Sequence, residues 1–475
     1  MGFSLDFLHT VLIYQGSISP QLVFDYHCRY SGEESYALDS TVSMIGASNL
    51  MFQEKLSSPL SSITYKNTLI IFEHFNDIFF IVQCIADINE NLVRRAITLA
   101  HKLLSLQFGP TYLYKSKVSL KRHSSTIKCF INVSLELIFN NVAQLLSATP
   151  APILDATIQR DLESTLKQSC SSLGTSAFHS FLFVDTQLVA SLLRSSVRAP
   201  PREFSSFVYA LTRQKLIEQQ PTTFDGHLLG FSDCFVQIDT QFEKYGVALF
   251  PLALSTEKPV FMVLLFHPEE RNVVKKSAST FYLQAKKHLD LLICLALVFD
   301  RRSASLPSSR EFPGLCSFVS VNRSSEASVS TLHQGCGMTE ANSSVTSQQT
   351  NKFLSLLRKQ MTNWIAHCQE CLITDDTCIL VDRSTRFVFY FRIWFWVQSS
   401  GCVIDVPLPE KKTSSTDVVN FGNVYESLLK RIKYRKVNIT EVFAVFLSPL
   451  SFDEVMLCGD ALRDFIFSNF YMNNR

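Results

Sequence analysis

Glycine is scarce in this chain, 15 of 475 residues. Backbone loops that cradle phosphates need closely spaced glycines. Neither a Gly-x-x-x-x-Gly-Lys-Ser/Thr run nor a Gly-x-Gly-x-x-Gly run after a strand occurs. That argues against nucleotide chemistry of the P-loop or dinucleotide-fold kind. A Gly-x-Ser-x-Gly nucleophile elbow is missing as well. Charge is sparse and balanced: Asp, Glu, Lys and Arg make up 18% of residues and the net charge is +2. No global field draws such a chain onto nucleic acid or an anionic membrane. Leu289–Phe299 and Phe387–Val397 are strongly apolar, but both fall short of the ~20 residues a membrane helix needs. Arg392 interrupts the second, and both are expected to be buried elements.

The start, MGFSLDFLHTVLIYQ, lacks a basic n-region and carries Asp6 and His9, so no secretory leader is expected. Gly2 is followed by Asp6 where N-myristoylation wants Ser or Thr. The 13 cysteines are scattered and odd in number, which fits reduced, mostly buried thiols of a cytoplasmic protein.

What is abundant is apolar and aromatic. Hydrophobic residues make up 47% of the chain and phenylalanine alone numbers 39. This is a globular balance, with aromatic cores and extended subunit interfaces both expected. The length calls for several domains. Residues 1–147 read as an antiparallel sheet with helices on its faces. The expected strands are His9–Gln15, Leu22–Tyr30, SSITYKN, TLIIFEHF and DIFFIVQC, the last two meeting at Asn76-Asp77. A helix over Leu38–Glu54 precedes the last three strands, and NENLVRRAITLAHKLLSLQF follows them. Apolar spacing of three and four over Ser125–Ala148 predicts a further helix.

The breaker ATPAPI opens a second unit, 148–300, with the same grammar of helices and strands. Residues 301–349 are Ser-rich and aperiodic and read as a flexible linker. A third α/β unit spans 350–475. The fold class is therefore α/β in content, of the α+β kind.

Chemistry-bearing clusters are few. Cys368 and Cys371 form a lone Cys-x-x-Cys, with His367 before it and Cys378 after it. A structural zinc site wants four ligands in two knuckles, so these are read as core thiols, and no cofactor is expected. His74, in a strand, is read as a satisfied histidine. One basic run, Lys430, Arg431, Lys433, Arg435 and Lys436, is either a solvated helix end that offsets the dipole or a contact to an anionic surface.

Two blocks go further. Val42–Phe52 reads VSMIGASNLMF, and Thr68–Cys84 reads TLIIFEHFNDIFFIVQC. They resemble blocks of the Fuzzy family of planar cell polarity effectors. In that family a Ser-Val-Ile-Gly…Asn…Met-Phe run precedes an apolar strand that ends in Phe, a polar residue and Asp, followed by another apolar strand. Ser43, Ile45, Gly46, Asn49, Met51 and Phe52 match the first block. Thr68, Phe75, Asp77, Ile81 and Val82 match the second. The spacing between Asn49 and Met51 is shorter here. The wider group is the tri-longin proteins, which include Inturned, Mon1, Ccz1 and the Hermansky–Pudlak longin proteins.

The resemblance implies three longin-like domains, each an antiparallel sheet packed by helices. It implies a non-enzymatic planar cell polarity effector and ciliogenesis scaffold at the basal body, within the cytoplasm and cytoskeleton. The implied partners are an Inturned-like longin protein, a WD-repeat effector protein and a Rab-type small GTPase. The pair would act in nucleotide exchange and in recruiting intraflagellar transport components. Exchange needs tighter binding of the nucleotide-free GTPase rather than acid–base chemistry. Partner contacts are then expected around Ile45, Gly46, Asn49, Phe75, Asn76 and Asp77, although core packing competes for Ile45, Met51 and Phe52. The alternative is an endolysosomal trafficking exchange-factor subunit of the Mon1/Ccz1 or Hermansky–Pudlak type. An enzyme with an unrecognised hydrolase site is a third class.

Overall fold

In the computed structural model the described residues are 8–15, 21–27, 48, 51, 55, 60–75, 78–109, 123–140, 145–146, 149–150, 156–171, 178–184, 187–193, 201, 203–218, 228, 230–238, 241–253, 260–287, 312, 314–323, 327–330, 347–375, 378–397, 402–404, 437–448 and 450–468. The chain forms two compact units. The first comprises Met1–Ile138, Leu162–Thr186 and Ala190–His288; the second comprises Phe139–Asp161, Gln187–Val189 and Leu289–Arg475.

Three sheets carry the fold. In the first, β1 (Leu8–Gln15), β2 (Gln21–His27), β3 (Ser62–Tyr65), β4 (Thr68–Phe75) and β5 (Ile78–Ile85) lie in the order β2-β1-β5-β4-β3. Among the described residues its pairings are antiparallel. β5 is the central strand, which is why IFFIVQC is apolar but for Gln83 and buried from Ile78 to Cys84. One face gathers Leu12, Tyr14, Ile70, Phe72, Phe79 and Ile81. On the other, Val11, Phe80 and Val82 meet α1 (Glu90–Phe108) and α2 (Ser124–Asn140) through Ala96, Ile97, Ala100, Ile131 and Leu135.

The helix α1 starts where it does because Asn89 caps it. Its side chain accepts from the Asn91 and Leu92 amides at 3.0 and 3.3 Å. The helix stops at Gly109, whose φ of 80° needs no Cβ. Its buried stripe includes Leu92, Val93, Ile97, Leu103 and Leu104, each contributing about 1.5–3 kcal/mol on full burial.

In the second sheet, β7 (Phe178–Val184), β8 (Gln187–Leu192), β9 (Gly230–Ile238), β10 (Gln241–Ala253) and β11 (Val260–Phe266) lie in the order β8-β7-β11-β10-β9. Phe250, Met262 and Leu182 are register partners on one face, where Phe250 packs on Phe281 of α5 (Arg271–Lys286). Phe181 on the opposite face packs on Phe204 of α4 (Phe204–Glu218). The intervening α3 spans Ala156–Cys170.

In the third sheet the order is β14-β15-β17-β12-β13-β6, with β16 (Val403–Ile404) paired to β15. Its strands are β12 (Leu315–Asn322), β13 (Ala327–Ser330), β14 (Ile379–Arg383), β15 (Phe387–Val397) and β17 (Val437–Leu447). The two-residue β6 (Thr149–Pro150) joins in parallel beside β13. Alternate residues of FVFYFRIWFWV serve opposite faces. Val388, Tyr390, Trp394 and Trp396 pack with Val455, Leu462 and Ile466 of α7 (Phe452–Ile466). Phe387 and Phe389 meet Phe353 and Trp364 of α6 (Ser347–Asp375).

Numbered within each repeat, the three sheets share one order. Strand two pairs with one, one with five, five with four and four with three. A helix separates strands two and three in the second and third repeats, and a helix follows strand five in all three. This is an α+β architecture built on antiparallel sheets.

Two expectations change. The segment 301–349 is not a linker throughout: β12 and β13 lie within it and supply the first hairpin of the third sheet. Ser317, Ser320 and Ser328 are buried, fitting small side chains into a sheet crowded with Phe and Trp. The third repeat thus begins well before residue 350. The first two expected domains, in turn, belong mainly to one compact unit.

Candidate interaction surface

The β3–β4 hairpin forms one edge of the first sheet. It closes through a two-residue turn, with Tyr65 opposite Thr68 and Lys66 at a left-handed φ of 52°. Arg94 on α1 clamps this edge. Its guanidinium donates to Glu73 at 2.5 Å, to the Phe72 carbonyl at 2.9 Å, to the Ser61 carbonyl at 2.6 Å and to Glu90 at 2.6 and 2.9 Å. Ser62 also donates to Glu90, at 3.1 Å. One planar fork of donors thereby ties strand, turn and helix together. Tyr65 projects outward with Lys66 over its ring.

Phe75, at the end of β4, is half-buried and stacks on His101 of α1 with ring centroids 4.2 Å apart. Phe80 meets the same Phe75 edge-on at 5.7 Å. His74 stacks on Phe79. Burial pushes the His101 imidazole down to about 4, with the Lys102 charge adding to it. Burial, then the Arg94 charge, lowers His74. Both rings are neutral aromatic packers at neutral pH.

Of the expected contact residues, Phe75 alone is among the described residues. Ile45, Gly46, Asn49, Asn76 and Asp77 lie outside them, as do Lys430, Arg431, Lys433, Arg435 and Lys436 of the basic run. In and just after the first block the described residues are Ser48, Met51 and Lys55, each helical and exposed. Spacings of three and four put these three on one face. Met51, expected in the core from its spacing, is 52% exposed instead.

Sequence reasoning did not anticipate the packing between the first two repeats. α1 lies along β9, the edge strand of the second sheet. Gln107 donates to Ser232 at 3.1 Å, and Gly109 admits the Phe235 ring so closely that a Cβ would sit 3.2 Å from it. Lys102 pairs with Glu203 at 2.6 Å. On α2, Phe130 meets Phe207 edge-on and Glu136 takes Arg213 at 2.9 Å. Gln214 donates to Thr126 at 2.7 Å. One repeat's helices thus cover another repeat's edge strand and α4.

The strand in the equivalent position of the third sheet is β14, also an edge. Ile379 on it and Leu356 on α6 are 37% and 38% exposed. Ile379, on a strand that ends the sheet among the described residues, suits contact with another chain.

Among the described residues, no group of three or more His, Cys, Asp and Glu gathers as a metal site. Cys368 and Cys378 of the cysteine cluster are buried, whereas Cys371 turns to His367, 3.7 Å from its Nε2. Ten described cysteines are unbridged. No helix among the described residues is long and apolar enough to cross a membrane. No family model and no curated protein matches the chain.

Proposed function

We propose that this chain is a planar cell polarity effector of the Fuzzy type, a non-enzymatic scaffold for ciliogenesis with three longin-like domains. It pairs with an Inturned-like longin protein and works with a WD-repeat effector protein. The pair acts on a Rab-type GTPase and recruits intraflagellar transport components at the basal body. The observation that carries the reading is the repetition of one five-strand antiparallel order in all three sheets. A three-unit division of that kind is what the resemblance of the Val42–Phe52 and Thr68–Cys84 blocks implies. The helix-over-edge packing between the first two repeats supports it further, because the same chemistry can join repeats of different chains. A scaffold of this kind works by differential binding of GTPase states.

Co-expression with an Inturned-like protein tests the proposal. A stable one-to-one complex on size exclusion, with basal-body signal in ciliated cells, is the expected result. A chain that elutes alone beside that partner, or that marks endosomes, overturns it; endosomal signal favours the endolysosomal exchange-factor class.

A further inference from the structure

We propose that this chain binds a second copy of itself, with α7 of one copy docked antiparallel on α5 of the other. The outward face of α5 is basic. Lys275, Lys276 and Lys286 on it and Lys287 at its C-cap are all exposed. Leu283 lies among them, 53% exposed. The helix buries Val274, Ala278, Phe281 and Ala285 against its sheet. At about 100° per residue, Lys276, Leu283 and Lys287 therefore form the line opposite the core. The outward face of α7 is acidic. It buries Val455, Gly459, Leu462 and Ile466, so Asp453, Leu457 and Asp464 form its outer line. Leu457 is 69% exposed. Asp464 pairs with Arg463 at 2.8 Å yet keeps 67% of its side chain exposed. Lys276, Lys287 and Asp453 carry no ion pair with any described residue.

The two lines match in reverse order. Asp453, Leu457 and Asp464 are spaced four and then seven residues apart; Lys276, Leu283 and Lys287 are spaced seven and then four. Laid antiparallel, Asp453 meets Lys287, Leu457 meets Leu283 and Asp464 meets Lys276, all in one register about 16 Å long. Glu454 then falls opposite Lys286, and Asp460 opposite the Thr280 hydroxyl. A parallel arrangement aligns the charges but sets Leu457 against Thr280 and Leu283 against Asp460, so both leucines lose their apolar partner. An anionic membrane answers the lysines of α5 and leaves the acids of α7 unmet; a second copy answers both. The net charge of +2 puts little repulsion between copies. One helix face is small and its ion pairs stay exposed, so the association is weak and falls as salt screens it.

Sedimentation velocity of the full chain over a concentration series tests this. The weight-average mass is expected to rise with concentration at about 0.1 M salt and to rise less at about 1 M salt. Lys276→Glu with Lys287→Glu, and separately Asp453→Lys with Asp464→Lys, are each expected to weaken self-association about tenfold or more. An equal mixture of the two double variants is expected to recover it, because the unaltered faces fit each other and so do the reversed ones. Circular dichroism and thermal midpoints check the fold of each variant. Should a double variant unfold, Leu283→Ser, at an exposed position, is expected to weaken the association with the fold kept. A mass that is the same at every concentration, variants that associate like the parent chain, or a mixture that stays monomeric overturns the proposal. So does a chain that stays monomeric but binds phosphatidylserine vesicles through Lys276 and Lys287, which assigns the α5 face to an anionic surface instead.

Discussion

Arg323 donates to both carboxylate oxygens of Glu441, at 2.9 and 2.7 Å, where Glu441 is 1% exposed. A third donor of the same guanidinium reaches the Leu146 carbonyl at 2.5 Å. Arg323 follows the last residue of β12 and Glu441 lies within β17, with Asn322 opposite Thr440 in the register. A buried carboxylate in the middle of an aromatic sheet is tolerated only because a planar donor pair meets it in a matched fork.

Arg323→Met should therefore cost about 3–5 kcal/mol, because it strands a buried charge. The double variant Arg323→Met with Glu441→Met should recover most of that loss, since an apolar pair of similar volume carries no desolvation penalty. Urea unfolding midpoints of the three chains read the difference. A double variant as unstable as the single one would show that the Leu146 contact, and not the ion pair, carries the effect.

Gly459 on α7 tests close packing in the same unit. A Cβ there would lie 2.3 Å from Cζ of Tyr390, a side chain with no exposed surface. Replacing Gly with Ala in a helix ordinarily gains about 1 kcal/mol. Overpacking a filled core costs about 1–3 kcal/mol. The second effect should win, so Gly459→Ala lowers the thermal midpoint, in the opposite sense to the helix-propensity rule. A raised midpoint would mean that α7 can lift off the sheet without loss.

How much of this was legible in the sequence depends on where polarity falls. TLIIFEHF and DIFFIVQC are dominated by apolar residues and meet at a polar turn in the sequence, and the observed strands end within a residue of the expected bounds. β15 was equally plain. β9 was not, because GFSDCFVQI mixes Ser232 and Asp233 into its alternation. Those residues face partners that local pattern cannot supply. Asp233 pairs with Lys244 at 2.9 Å, and Ser232 meets Gln107 from α1. β12 and β13 were hidden by serine, which reads as loop in sequence yet fits beside bulky neighbours in a sheet interior. The candidate surface was less legible still. Met51 looks like a core residue by spacing, yet it is exposed.

Met51 gives a direct probe of the proposed partner surface. Being exposed, Met51→Arg should change stability by no more than about 0.5 kcal/mol. If the first block faces an Inturned-like partner, a cation placed in an apolar contact should reduce co-purification about tenfold or more. The same helix shows Ser48 and Lys55 on that face, so Lys55→Glu serves as a charge control. Normal complex formation by Met51→Arg would remove this face from the interface.

His101 links packing to pH. Its folded pKa is pushed down to about 4, against about 6.5 in an unfolded chain. Between those values the unfolded state binds a proton that the folded state refuses. The contribution of this site to stability is therefore fully present above about pH 6.5 and is lost as pH falls towards 4. With a slope of about 1.4 kcal/mol per pH unit, the loss amounts to about 3 kcal/mol at most. His74, lowered by the same burial, acts in the same sense. His101→Phe keeps a ring against Phe75 and removes the titration. Urea midpoints at pH 7 and pH 4.5 should therefore separate the parent chain from the variant, with the variant losing less on acidification. Carboxylates titrate in both chains, so only the difference between them reports on His101. Equal losses would place the lowered imidazole outside the folding equilibrium and leave its stacking on Phe75 as its sole contribution.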